Sequence, residues 1–138
     1  MAKTILIVDD DPAQRRLLQA AVERSGFKTR TADDGGTAID AVDTHADIDA
    51  VLLDLVMPGV SGQEALAAIR QRRADLPCIV LTASGGIDTV VQAMQAGACD
   101  FFVKPASPER IMVSVRNALE MSNLKSEVGR MKKRATGQ

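Results

Sequence analysis

Five short apolar runs alternate along this chain with five stretches in which apolar residues recur every three or four positions, and that alternation leaves few folds open. Strands that alternate with helices pair in parallel, and right-handed crossovers lay the helices over both faces of the resulting sheet. The strand patterns cover residues 4–8 and 27–32, the run through Leu52 and Leu53 to Asp54, then 78–81 and 99–103. Four read as nearly continuous apolar runs, as strands covered on both sides must. The second, Phe27-Lys28-Thr29-Arg30-Thr31-Ala32, alternates with polar residues and suits an edge.

The helix patterns carry their own start and stop signals. Asp11 and Pro12 supply an N-cap and a first helical residue, Leu17, Leu18, Ala21 and Val22 give the spacing, and Ser25-Gly26 ends it. Asp34 opens a second helix through Ala38, Ile39, Ala41 and Val42; Ser61-Gly62-Gln63-Glu64 is a capping box before Ala65, Leu66 and Ile69. A fourth helix places Ile87, Val90, Val91 and Met94 at helical spacing and stops at Gly97. Ser107 and Pro108 begin a fifth, with Ile111, Val115, Ala118 and Leu119 on one stripe. The predicted fold is a flavodoxin-like (βα)5 three-layer sandwich whose five-stranded parallel sheet has the order 2-1-3-4-5.

Chemistry collects where the strands end. The first run closes in Asp9-Asp10-Asp11, the third carries Asp54 before a Pro58-Gly59 turn, the fourth ends in Thr82, and the fifth runs into Lys104-Pro105. Ligands of open parallel sheets gather beyond the carboxyl ends of the strands, so the predicted topology brings Asp9, Asp10, Asp54, Thr82 and Lys104 to one crevice. Asp11 is accounted for as a cap, and Asp54 has the alternative reading of capping its own turn. Asp9 and Asp10 have no such role: neighbouring carboxylates at a buried strand end repel unless a cation sits between them.

Composition narrows the alternatives. A formal net charge of −1 over 138 residues gives no general attraction to nucleic acid, no apolar stretch is long enough to span a bilayer, and the start enters a strand pattern without a secretory signal. A cytoplasmic location is the expectation. Neither Trp nor Tyr is present, so the core is aliphatic. Cys78 and Cys99 lack metal-ligand spacing and are expected to be small, buried and reduced; His45, the only histidine, is expected on the surface at a helix end.

The set Val8-Asp9-Asp10, Asp54 before Met57-Pro58-Gly59, Leu81-Thr82-Ala83 and Val103-Lys104-Pro105 resembles the receiver domain of bacterial two-component response regulators. The resemblance covers residues 3 to about 120. It implies that Asp54 is the phosphorylated aspartate, that Asp9, Asp10 and Asp54 hold Mg²⁺ together with the backbone carbonyl of Val56, and that Lys104 is the active-site lysine. It further implies that Thr82 is the switch hydroxyl and Phe101 the switch aromatic. The partner would be a sensor histidine kinase or a phosphotransfer protein, and the chain would catalyse only its own phosphorylation and dephosphorylation.

Two features depart from that pattern. Ala106 follows Lys104-Pro105 where the family commonly has an aromatic residue, and Met121, Leu124, Val128 and Met131 continue an apolar spacing past the fifth helix. Residues 1–120 are thus expected to form the receiver, and 121–138 a short coiled coil or a linker toward an absent output domain, with a transcriptional output expected by analogy. Dimerisation is expected through helix 4, strand 5, helix 5 and this extension, with nucleic acid reached only through the output domain. The alternatives are a stand-alone phosphorelay intermediate and an aspartyl-phosphate hydrolase of the haloacid dehalogenase kind. For the hydrolase, Ala13 stands where its motif needs Thr or Val. A flavin module is disfavoured by the acidic first loop.

Overall fold

In the computed structural model the chain is described over residues 2–55, 59, 61–83 and 86–136, with side chains through Ser122. Strands β1 (Thr4–Val8), β2 (Lys28–Ala32), β3 (Ile48–Asp54), β4 (Cys78–Thr82) and β5 (Asp100–Val103) alternate with helices α1 (Pro12–Arg24), α2 (Gly35–Thr44), α3 (Gly62–Arg72), α4 (Ile87–Gln95) and α5 (Pro108–Thr136). All four strand pairings are parallel, in the order β2-β1-β3-β4-β5. Both β2 and β5 begin one residue later than the sequence pattern predicts. Phe27 instead packs beneath the sheet, and Cys99 donates its backbone N–H to the Cys78 carbonyl at 2.9 Å just before β5 starts.

Because successive strand residues point to opposite faces, each apolar run feeds two cores. Leu6, Val8, Val51, Leu53 and Val80 pack with Ala38 and Val42 of α2, Ala65, Leu66 and Ile69 of α3, and Ala93 of α4. On the other face Ile5, Ile7, Leu52, Ile79 and Leu81 meet Leu18 and Val22 of α1 and Ile111, Met112, Val115 and Leu119 of α5. Each such Leu or Ile withdrawn from water contributes about 1.5–3 kcal/mol. With no large aromatic side chain in either layer beyond the partly buried phenylalanines, aliphatic interdigitation carries the fold.

The caps work as their residue types require. Asp11 accepts from the Ala13 N–H ahead of Pro12, Asp34 from Thr37 and Ser61 from Glu64. Gly26 and Gly97 end α1 and α4 in the left-handed region, at φ of 94° and 107°. The apolar residues of α4 produce its helix but do not face the core: Ala93 alone is buried in it, whereas Ile87 is 81% exposed and Val91 and Met94 are exposed too. The expected burial of both cysteines holds for Cys78 only. Cys99, one residue ahead of β5, is exposed, because it belongs to the turn and not to the covered part of the sheet. His45 is the half-buried C-cap of α2. Leu124, Val128 and Met131 lie in α5 beyond the residues whose side chains are described.

Candidate functional site

Four of the five strands, β1, β3, β4 and β5, each deliver one polar side chain to the same edge. Asp9 follows β1 directly, Asp54 is the last residue of β3, Thr82 the last of β4, and Lys104 follows β5. The sheet's hydrogen bonding continues into the loops beyond: Leu55 N–H donates to the Leu81 carbonyl at 2.9 Å and Lys104 N–H to the Thr82 carbonyl at 2.7 Å. These bonds tie the residues at the strand ends to the hydrogen-bonded backbone of the sheet.

Lys104 joins the two buried acids. Its Nζ lies 3.1 Å from Asp9 Oδ2 and 3.2 Å from Asp54 Oδ2, with Asp9 and Asp54 almost wholly withdrawn from solvent. Burial by itself lowers the lysine pKa. It is outweighed by the hydrogen bond to Asp9, the charge and hydrogen bond of Asp54, and the charge of Asp9, so the ammonium titrates above its ordinary range.

Asp9 is fixed at four atoms. Its N–H donates to the Ala32 carbonyl at 3.1 Å, its carbonyl accepts from Arg15 Nη1 at 2.8 Å, Oδ1 accepts from the Asp11 N–H at 2.9 Å, and Oδ2 takes the Lys104 bond. Asp10 is exposed, yet one carboxylate oxygen from each of Asp9, Asp10 and Asp54 lies within 4.8 Å of the others. Three carboxylates against one ammonium leave two formal negative charges. An all-oxygen donor set with that deficit, free of thiol or imidazole, fits a hard divalent cation.

Gly62 lets α3 approach this edge. A Cβ there would sit 2.3 Å from Leu55 Cα and 2.6 Å from the Asp54 carbonyl oxygen, and the Gly62 N–H donates to the Leu55 carbonyl at 3.1 Å. No larger residue leaves the end of β3 where it is. Thr82 is fully buried; it lies two residues beyond Val80, which is paired with Phe101 across β4 and β5, so Thr82 and Phe101 share a sheet face. Phe101 packs half-buried toward the α2–α4 layer and Phe102 toward α1 and α5. Beside Lys104, small Ala106 borders an apolar groove of about 410 Å³ lined also by Leu17, Leu18, Leu81, Pro105 and Ile111.

The structure therefore brings Asp9, Asp10, Asp54 and Lys104 into one cluster and Thr82 to the neighbouring strand end. Val56 lies outside the described residues. Sequence reasoning missed Arg15 and Gly62. The signals were present: a cation in the first turn of a helix opposes the macrodipole, and a glycine inside a capping box serves no capping purpose. The thiols carry no site of this kind. Burial pushes Cys78 up to about 12, and Cys99, exposed as a residue, has its thiol raised by partial desolvation among its neighbours and then by the Asp100 charge.

A family model of the response regulator receiver domain matches residues 5–116. The chain belongs to that family. The receiver is 37% identical over 125 residues to the regulatory protein AtoC of Escherichia coli, an alignment covering 90% of this chain but 27% of AtoC. It is 40% identical over 119 residues to the transcriptional regulatory protein ResD of Bacillus subtilis, covering 86% of this chain and 49% of ResD. Among solved structures, NtrX from Brucella abortus superposes with a TM-score of 0.89 at 35% identity, covering all of this chain and 32% of NtrX. The signal receiver domain of a putative LuxO repressor from Vibrio parahaemolyticus gives 0.85 at 28% identity, covering 93% of this chain and 98% of that one. The receiver thus spans between a quarter and a half of the length of these curated relatives.

Proposed function

We propose that Asp54 accepts a phosphoryl group from the phosphohistidine of a sensor histidine kinase or phosphotransfer protein, and that the modified receiver controls an attached output. The observation that carries this reading is the convergence of Asp9, Asp10 and Asp54 with Lys104 bridging two of them. A carboxylate is a weak nucleophile, so its environment must do the catalysis. As the bond from Asp54 to phosphorus forms, the P–N bond to the donor imidazole breaks and negative charge spreads over the equatorial phosphoryl oxygens. The Lys104 ammonium stands 3.2 Å from the attacking carboxylate, placed to oppose that charge, and the Thr82 hydroxyl lies at the adjoining strand end. Asp9, Asp10 and Asp54, with the Val56 carbonyl, would hold Mg²⁺. When bound, that ion supplies charge neutralisation between the acids and the phosphoryl oxygens.

Phosphorylation adds about one negative charge and new acceptor oxygens. Thr82 turning toward them vacates room on the face it shares with Phe101, whose inward swing would repack α4, β5 and α5. In this reading residues 1–120 are the receiver and 121–138 a helical extension or linker toward an output domain. The chain acts on no outside substrate. Relatives two to four times its length, ResD among them a named transcriptional regulator, favour a regulator of transcription over a stand-alone phosphorelay intermediate. Among the described residues no helix is long and apolar enough to cross a membrane. The partner kinase domain this reading requires would place the receiver in the cytoplasm. Dimerisation would use α4, β5, α5 and the extension.

Acetyl phosphate tests the assignment. Intact mass should rise by one phosphoryl group in the presence of Mg²⁺, and not after chelation or in Asp54→Asn. Undiminished uptake by Asp54→Asn would overturn it.

A further inference from the structure

The three consecutive aspartates after β1 ought to splay apart, yet two of their carboxylates converge on Asp54. Lys104 holds one oxygen of Asp9, from the far end of the sheet. A second cation acts on the loop itself. Arg15 stands in the first turn of α1, where its N–H makes the opening helical bond to the Asp11 carbonyl at 2.9 Å, and its side chain folds back so that Nη1 donates to the Asp9 carbonyl at 2.8 Å. This closes a ring across the whole acidic loop, from the end of β1 to the start of α1. A cation opposes the positive end of a helix, so the position is unfavourable for Arg15 unless the carbonyl bond and the nearby acids outweigh it. Arg16, one residue on, is exposed and reaches none of these groups among the described bonds.

We propose that Arg15 is a positioning residue for the acidic loop: by anchoring the Asp9 backbone carbonyl it keeps Asp9 and Asp10 converged on Asp54 in a metal-binding arrangement. The proposal rests on the receiver reading and deepens it. Its mechanical part is specific. The Asp9 side chain is committed to Asp11 N–H and Lys104, so only the backbone carbonyl is available to a residue of α1 without competing for a carboxylate oxygen. Arg15 thus steadies the loop while leaving carboxylate oxygens to a cation.

Two effects of removing Arg15 have opposite signs, which makes the test sharp. Loss of a positive charge near the acids by itself tightens Mg²⁺ binding; loss of the carbonyl anchor loosens the loop and weakens it. Residues that orient metal ligands without touching the metal typically matter by about 10–100-fold in affinity. Calorimetric titration of Mg²⁺ onto the full chain should therefore show Arg15→Ala binding about tenfold more weakly than the unmodified chain. Arg16→Ala, which removes the same charge one residue away, should bind equally or slightly more tightly. Arg15→Lys, whose ammonium ends short of the Nη1 position, should fall between. The metal-free melting temperature of Arg15→Lys should match the unmodified chain while its Mg²⁺-induced rise shrinks, a split that a merely structural role would not give. If Arg15→Ala does not fold, Arg15→Lys decides in its place. Affinity unchanged or increased in the deciding variant overturns the positioning role and leaves the receiver reading standing; an unmodified chain that binds no Mg²⁺ overturns both.

Discussion

Lys104 is the internal counter-ion of the site, and its two bonds set what its loss should do. In Lys104→Met, Asp9 and Asp54 face each other without the ammonium that now lies 3.1 and 3.2 Å from them. Breaking a buried ion pair from one side leaves uncompensated charge, and at the rim of this site we expect a loss of about 1–3 kcal/mol in metal-free buffer. A divalent cation meets the same deficit, so Mg²⁺ should bind more tightly to the variant and restore most of that stability. Phosphoryl uptake should nevertheless slow by about 100-fold, because one charge-stabilising donor is gone. Thermal melts with and without Mg²⁺, alongside acetyl phosphate kinetics, separate the two effects. The pH dependence has a definite sign. Since the folded pKa of Lys104 lies above its ordinary 10.5, its stabilisation is fully present below that value and is lost as pH rises through the higher folded one. The gap between the two proteins should thus stay constant through neutral pH and close only in strong alkali.

The same logic at the level of elements centres on where α3 begins. Gly62 places its backbone against the end of β3 so closely that a single methyl group collides with backbone on both Asp54 and Leu55, and backbone has no rotamer with which to yield. Gly62→Ala should cost about 1–3 kcal/mol by overpacking. It should also displace Asp54 from Asp9 and Asp10, lowering Mg²⁺ affinity and phosphoryl uptake together. Equal uptake in a folded Gly62→Ala protein would show that α3, not β3, gives way. The elements around this contact were legible in the sequence because each carries redundant signals: an apolar run, a cap, a stop. Asp11, Asp34 and Ser61 cap as their types foretell, and the strand ends bring the four charged residues together as the topology requires. What spacing does not convey is what covers a face. The stripe on α4 predicts a helix correctly, but Ile87, Val91 and Met94 look outward, and Cys99 lies exposed in a turn although an apolar run follows it. For Arg15 the sequence marks an unfavourably placed cation but not what it binds, since its partner is a backbone carbonyl and carbonyls leave no mark in a sequence.

At the scale of the whole molecule, the large exposed apolar side chains among the described residues, Leu17 of α1 apart, are concentrated at one edge. Ile87, Val91 and Met94 of α4, Val103 of β5, and Val113 and Met121 of α5 are all exposed, on the two helices that flank the last strand of the sheet. Isolated exposed side chains are ordinary, but a set on adjoining elements marks an interaction surface. The same elements lie beside Phe101, which shares a sheet face with Thr82 at the carboxyl edge of the sheet, and α5 continues from this surface to Thr136. A change at Asp54 that repacks Phe101 would therefore alter this surface, and if a second copy is what it takes, self-association should tighten on phosphorylation or with a beryllofluoride mimic. Ile87 offers the cleanest test, because at 81% exposure its replacement by Glu costs the fold no more than about 0.5 kcal/mol. Ile87→Glu should take up phosphoryl groups at the normal rate yet dimerise more weakly in the activated state. Truncation after Leu119 should do the same to a lesser degree if the extension adds to the seam. Sedimentation equilibrium on the full chain and both variants, with and without the mimic, reads this directly. A full chain that stays monomeric at high concentration in both states would assign the face to a different partner and the extension to a linker alone.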